Sequence, residues 1–414
     1  MLQRLRIAVR KFAPFESAIE KQWADFERRH RSGFTLEMVP LDLVPLTQTL
    51  FDGASLKDGT WDIAFINTDW IASACGRGEF KDLREFIRRN PPEDYPQGWT
   101  DSMLRLQQHG EAIAGLPYHD GPECLIYRKD LFEDAAEKRN YQNLYGVPLK
   151  PPVTWEEFRR VAKFFQRPAA GVYGCVFAGY PDGHNTVYDF LLQLWTRGGS
   201  LQDSQGQFHF DTPAARDALR FYHEILTDSS ALHPKSDVLD SVQCGEVFAK
   251  GEAAMSVNWF GFAAVAQAAE TSLVRGKVGI APIPCEPPHE SASLNVYWIL
   301  SIAAGSRNPE LAYTFLRHCA GRRMDKLLTL EGGIGCRRST WEDLEINQRI
   351  PFYRQLASLH AKARETPSLA IWPEVNDVID SMVMQARSGN RAMDELLREA
   401  DDRVAHMVRT GREF

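Results

Sequence analysis

No stretch of this sequence is apolar for the roughly 20 consecutive residues that a bilayer-spanning helix needs. Residues 1–10, with arginines at 4, 6 and 10, also lack the continuous apolar core of a secretory signal. The chain is therefore expected to stay in the cytoplasm, or to be exported from a precursor whose signal is missing from this sequence. Cysteine is scarce. The seven residues (Cys75, Cys124, Cys175, Cys244, Cys285, Cys319, Cys336) are far apart, with no C-x-x-C and no His/Cys cluster of zinc spacing, so a structural metal is not expected. An odd count leaves at least one thiol unpaired in a monomer, and buried free cysteine is the expected state. Positive charge is not concentrated anywhere: the net charge is -7 and the basic residues are scattered, which argues against a nucleic-acid surface. Also missing are G-x-G-x-x-G, a P-loop, G-x-S-x-G and H-E-x-x-H, any repeat of solenoid period and any low-complexity segment.

What is present is the composition of a folded protein, 44% hydrophobic and 25% charged, in 414 residues, a length that suggests about two domains. Leu5 to Val9 alternates as a strand, Phe15 to Phe26 places Ile19, Trp23 and Phe26 at helical spacing, and Phe34 to Val39 alternates again. After a helix-like stretch Trp61 to Ile66 forms a further strand, which Asn67-Thr68-Asp69-Trp70 breaks. This β-α-β-α-β order specifies a parallel sheet with helices on its faces. His119-Asp120-Gly121-Pro122 is turn chemistry between two strands, Ala112 to Tyr118 and Glu123 to Tyr127, and is a candidate crossing to a second lobe. Thr154 with Glu157 three residues on predicts a capping box for a helix to about Phe165. Val187 to Trp195 is a helix by its apolar spacing, and Asp211 or Thr212 caps another whose first turn holds Pro213. Lys277 to Ala281 and Tyr297 to Ile302 read as strands, and the C-terminal region as helices with the periodic set Val375, Val378, Ile379 and Met382.

One stretch points to chemistry. Gly251 closes a helical run in the left-handed conformation that glycine adopts without strain, and the apolar strand Ala253 to Val257 follows. In open α/β sheets ligands sit beyond the carboxyl ends of strands, which is where Asn258, Trp259 and Phe260 fall. An amide beside two rings suits a small polar molecule, and a core aromatic pair with a turn asparagine fits the same residues. Catalysis has fewer supports. His119-Asp120 has the makings of an acid/base pair, and Asp69 with Asp120 or Glu123 of a glycosidase carboxylate pair, a mechanism that needs about 5 to 9 Å between the groups. Gly332-Gly333-Ile334-Gly335 has only the composition of a phosphate loop and is expected to be a turn.

The sequence resembles the extracellular solute-binding proteins of sugar-type ABC importers, the class that includes maltodextrin-binding proteins. The resemblance runs over nearly the whole chain and rests on the order of residues 61–70, 115–118, 125–132, 152–158 and 248–255. It implies an α/β, two-lobed periplasmic-binding-protein-like fold, each lobe a mainly parallel sheet flanked by helices, with the ligand cleft between lobes that close by hinge motion. The division it suggests is 1–116 and 295–330 in the first lobe, 117–294 and 331–414 in the second. Carried over by position, the cleft residues would be Lys11, Phe12, Asn67, Thr68, Asp69 and Trp70 from the first lobe, and Tyr180, His184, Asn185, Asn258, Trp259, Phe260 and Trp372 from the second. His119 and Asp120 join them at the crossing. Arg337 and Arg338 would add charge for a carboxylate or sulfonate, but a solvated surface pair is the expected reading of the two. The resemblance implies a monomer without catalytic residues, metal or cofactor that binds a carbohydrate, an acidic or modified sugar included, and delivers it to the permease of an ABC importer, outside the cytoplasmic membrane. A glycoside-acting enzyme and a cytoplasmic sugar sensor of the same fold are the alternatives.

Overall fold

The computed structural model describes residues 3–410. The first strand, Gln3–Arg10, is buried along its second half and feeds the helix Ala13–His30. That helix buries Phe15, Ala18, Ile19, Gln22 and Phe26, the one-sided stripe that the spacing predicts. Pro14 stands in its first turn, and Arg28, Arg29 and His30 occupy its last, where the helix dipole favours positive charge. The predicted capping box is present, with Thr154 accepting from the Glu157 amide at the start of Trp155–Phe164. Thr212, rather than Asp211, caps Pro213–Thr227. Gly251 has φ +79 and follows the helix Ser241–Ala249, as its role in ending that helix requires. All seven cysteines are free.

Two main sheets organise the chain. The first has the strand order Phe34–Leu41, Gln3–Arg10, Ile63–Asn67, Trp298–Ile302, Gly115–His119; the second runs Val278–Ala281, Glu123–Arg128, Ala253–Trp259, Tyr173–Val176. The expectation of parallel pairing holds for Gln3–Arg10 with both neighbours and for Tyr173–Val176 with Ala253–Trp259. The other pairings in these sheets are antiparallel. The reason is topological. A strand fed by a helix starts at the far end of its sheet and ends at the cleft, whereas a strand entered from the other sheet starts at the cleft. Glu123–Arg128 and Trp298–Ile302 are of the second kind.

The chain passes from the first sheet to the second between His119 and Glu123 and returns between Leu294 and Trp298. The sequence places the next crossing at 330/331. In the structure Ile334, Trp341, Tyr353 and Leu359 pack in a core cluster that draws on both sheets, and Ala363–Arg364 pairs with Ser293–Leu294. That cluster continues to Phe260 and Ala263 beside the second sheet, and a separate cluster fills the second sheet's other face around Trp155, Tyr222 and Trp372.

Candidate functional site

A cavity lies where the cleft-facing ends of both sheets meet. Asn67, Trp298 and His119 stand side by side at the edge of the first sheet, in register across three strands. Facing them is Trp259, the last residue of the strand Ala253–Trp259. Phe12, Phe15 and Phe262 supply further rings, Phe12 meeting Phe15 at 5.0 Å and Phe262 at 5.9 Å, both edge to face. Arg10, Asp120, Asp182 and His184 add polar groups to the wall. The space available to the centres of water-sized molecules is about 70 Å³.

The charges are arranged in pairs. Arg10 lies 3.3 Å from Asp42 and 3.5 Å from Asp240, so its positive charge is already opposed. Burial pushes Asp182 up to about 6, even though its carboxylate accepts from the amides of His184 and Asn185. Burial drives both His119 and His184 down to about 3, so they are neutral. The Ile334 amide donates to Nδ1 of His119 at 2.9 Å, which places the remaining ring proton of His119 on Nε2 as a donor. Asp120 is 2% exposed: its Oδ2 is 2.7 Å from Nε2 of His360, and its Oδ1 has no protein partner among the described residues. A buried carboxylate oxygen without a protein partner, on a residue of the cavity wall, is an acceptor still in need of a donor.

The sequence-predicted residues divide by position. Phe12, Asn67, His119, Asp120, His184 and Trp259 are brought together around the cavity. Thr68 and Asn258 stand behind the wall and hold it. Thr68 exchanges hydrogen bonds with Tyr297, a wall residue, and Asn258 donates to the carbonyl of Ser241, another. Asp69 is buried between the lobes, accepting from the hydroxyl of Tyr188. Trp70 packs edge to face on the outer side of Trp298 at 5.6 Å. Asn185 is buried at the start of the helix Asn185–Trp195.

The rest lie elsewhere. Lys11 is exposed and pairs with Asp42, and Tyr180 is 45% exposed. Phe260 points away from its neighbour Trp259 into the core, against Phe352 and Tyr353, and Trp372 is fully buried in the second cluster. Arg337 is neither a cleft residue nor half of a solvated pair. It is fully buried, lies 4.5 Å over the ring of Trp99, and donates to the carbonyls of Glu93 and Ala320 and to Asp94. Asp69 and Glu123 do not line the cavity, so neither carboxylate pair considered from sequence faces it.

Besides Arg10, Phe15, Asp182 and Phe262, sequence reasoning missed the wall residues Tyr297 and Trp298. They begin a strand, and a search of strand carboxyl ends passes over them. The detectable signal was the return segment itself, since a strand entered from the other lobe starts at the cleft. Among the described residues no group of three or more His, Cys, Asp or Glu is placed to hold a metal ion.

Asp69 gives a test of the interlobe seam. Burial raises it to about 6 against the lowering effect of the Tyr188 hydrogen bond. A carboxyl raised in the folded state holds a proton that the unfolded chain has released, so its contribution to stability is lost as pH rises from about 4 through 6. Asp69→Asn keeps an acceptor for Tyr188 and does not ionise. Denaturation from pH 4 to 7 should show the variant losing less stability than the native protein, by about 1 kcal/mol or more. Parallel pH curves for the two proteins would refute the assignment.

Comparison with known proteins places this geometry in a family. A model of the bacterial extracellular solute-binding proteins matches residues 42–324. A Deinococcus radiodurans protein named "Probable ABC transporter-binding protein" is 24% identical over 278 residues, which is 66% of this chain and 63% of that protein, so the chain spans under two thirds of that relative's length. Among solved structures, maltose-bound MalE3 of T. maritima superposes with a TM-score of 0.85 at 22% identity, over 98% of this chain and 99% of that one. An ABC transporter solute-binding protein of Agrobacterium radiobacter in complex with ribitol also gives 0.85, at 23% identity, over 97% and 98% of the two chains. At these identities the structural likeness establishes the two-lobed fold.

Proposed function

The chain belongs to the bacterial extracellular solute-binding protein family, and from that premise we propose that it is a non-catalytic receptor for a small, uncharged, polyhydroxylated solute, a monosaccharide or polyol, which it hands to the permease of an ABC importer outside the cytoplasmic membrane. The observation that carries this reading is the buried, unpartnered Oδ1 of Asp120, a residue of the wall that also holds Trp259 and Trp298. A carboxylate oxygen accepts from a hydroxyl, rings cover the apolar C–H face of a sugar, and the Nε2–H of His119 donates to a second oxygen. An anionic sugar is disfavoured because Asp120 and Asp182 share the wall, Arg10 is paired, and Arg337 is buried elsewhere. Ribitol in the structurally similar Agrobacterium protein is a neutral ligand of this class.

A thermal-shift screen with ribitol, D-mannitol, maltose, D-galacturonate and L-glutamate tests the reading. A ligand at 100 times its dissociation constant stabilises by about 2.7 kcal/mol, so the unfolding midpoint should rise with a neutral polyol or sugar. The bound compound should be recovered chemically unchanged. A response to galacturonate or glutamate alone would overturn the proposed class, and turnover of a bound glycoside would overturn the non-catalytic role.

A further inference from the structure

The pair Asp120–His360 joins a residue of the cavity wall to one that stands behind it. Asp120 belongs to the crossing from the first sheet to the second, and His360 stands just before Ala363–Arg364, which pairs with Ser293–Leu294 at the return crossing. Their side chains are 1% and 5% exposed and 2.7 Å apart. Each is held from a second direction. The Asp120 amide donates to the carbonyl of Ile334 at 3.0 Å, and the His360 ring lies nearly parallel to that of Trp341 with centroids 5.1 Å apart. Gly121, next in the chain, has φ +139, a conformation open to glycine, so the crossing bends immediately after the pair.

We propose that Asp120 and His360 form a clamp across the lobe crossings, in which His360 is a positioning residue that holds Oδ2 of Asp120 and so aims the free Oδ1 at a ligand hydroxyl. This rests on the functional reading above. A ligand hydroxyl on Oδ1 completes the carboxylate's hydrogen bonding and shuts out water, which strengthens its attraction to the imidazolium on the other oxygen. Capture of the ligand and seating of the hinge are then one event. Loss of the imidazolium charge leaves the buried carboxylate uncompensated.

The surroundings single out this pair. Cys336, Tyr297 and Tyr353 lie near Asp120, and burial pushes all three well above their ordinary values, so they are neutral there. His119 is neutral as well. On its outer side His360 shares a groove with Arg338, Glu342 and Arg354, and Lys362 and Glu365 follow it in the chain. Asp120 is the anion that His360 hydrogen-bonds. Burial alone would lower the imidazole, but the charge and hydrogen bond of Asp120 prevail and raise it above 6.5. A raised histidine keeps its partner below that point and loses it as pH rises through it, so the clamp weakens on the alkaline side.

Titration calorimetry with ribitol, D-mannitol and maltose from pH 5.5 to 9, in two buffers of different ionisation enthalpy, reads the coupling directly. Binding should take up protons and weaken with rising pH by about ten-fold, the effect of a one-unit difference between free and bound His360. His360→Gln, which keeps a donor but not the charge, should lose the weakening above pH 7 and keep only the change near pH 6 that Asp182 on the cavity wall contributes. Affinity independent of pH without proton uptake, or a variant with the wild-type profile, overturns the proposal; if the variant does not fold, proton uptake by the native protein decides. A ligand-free arm separates this from the functional reading: the NMR titration of His360 should move to lower pH in Asp120→Asn, and an unchanged titration overturns the clamp. If no sugar or polyol binds, the functional reading and the ligand coupling fail together, while the ligand-free titration still decides whether the two residues are paired.

Discussion

Trp259→Ala should weaken binding of the sugar or polyol selected by screening roughly ten- to a hundred-fold while leaving the denaturation midpoint of the ligand-free protein close to wild type. The ring ends a strand whose other residues are buried, and it alone is partly exposed. It is steadied on one side by Tyr188, edge to face at 5.7 Å, and by His184 at 6.2 Å. Its remaining surface is cavity wall. Removing it takes away a stacking face for the ligand without opening a closed hole in the core. Calorimetry for affinity and urea denaturation for stability check the two halves separately. A strongly destabilised variant, or a stable one with unchanged affinity, would remove Trp259 from the site.

Trp372→Ala should do the reverse, costing about 3–5 kcal/mol of stability through cavity formation. This ring is fully buried at the start of the helix Trp372–Ser388, in the cluster that also holds Val375, Val378 and Ile379. It is not among the residues that line the cavity between the two sheets. The denaturation midpoint is the informative measurement, and the fraction that remains folded should still bind. A variant with native stability and weakened binding would return Trp372 to the ligand.

These two tryptophans show what was legible in the sequence and what was not. Trp372 sits three residues before Val375 in a helical period that the sequence displays, and that period marks it as core once it is followed back to its first member. Trp259 and Asn67 were legible as strand carboxyl ends, and His119 and Asp120 as a crossing turn. Phe260 was not separable from Trp259, because which of two adjacent rings faces the cleft depends on how the strand passes into the helix Phe260–Ala268. Trp298 was hidden by direction: strand-end reasoning assumes parallel strands, and Trp298–Ile302 runs the other way. Arg337 was illegible because its partners Asp94, Trp99 and Ala320 are supplied by other elements. The same holds for Asp120 and His360, 240 residues apart, which the fold alone brings to 2.7 Å.

A crystal structure of the complex with the tightest-binding sugar or polyol decides whether a small neutral polyhydroxylated solute is held between the lobes on Asp120. One ligand is expected between Trp259 and Trp298, with a hydroxyl within hydrogen-bond distance of Oδ1 of Asp120 and another oxygen on Nε2 of His119. A ligand bound outside this cleft, or one in the cleft that leaves Oδ1 of Asp120 without a donor, would contradict it.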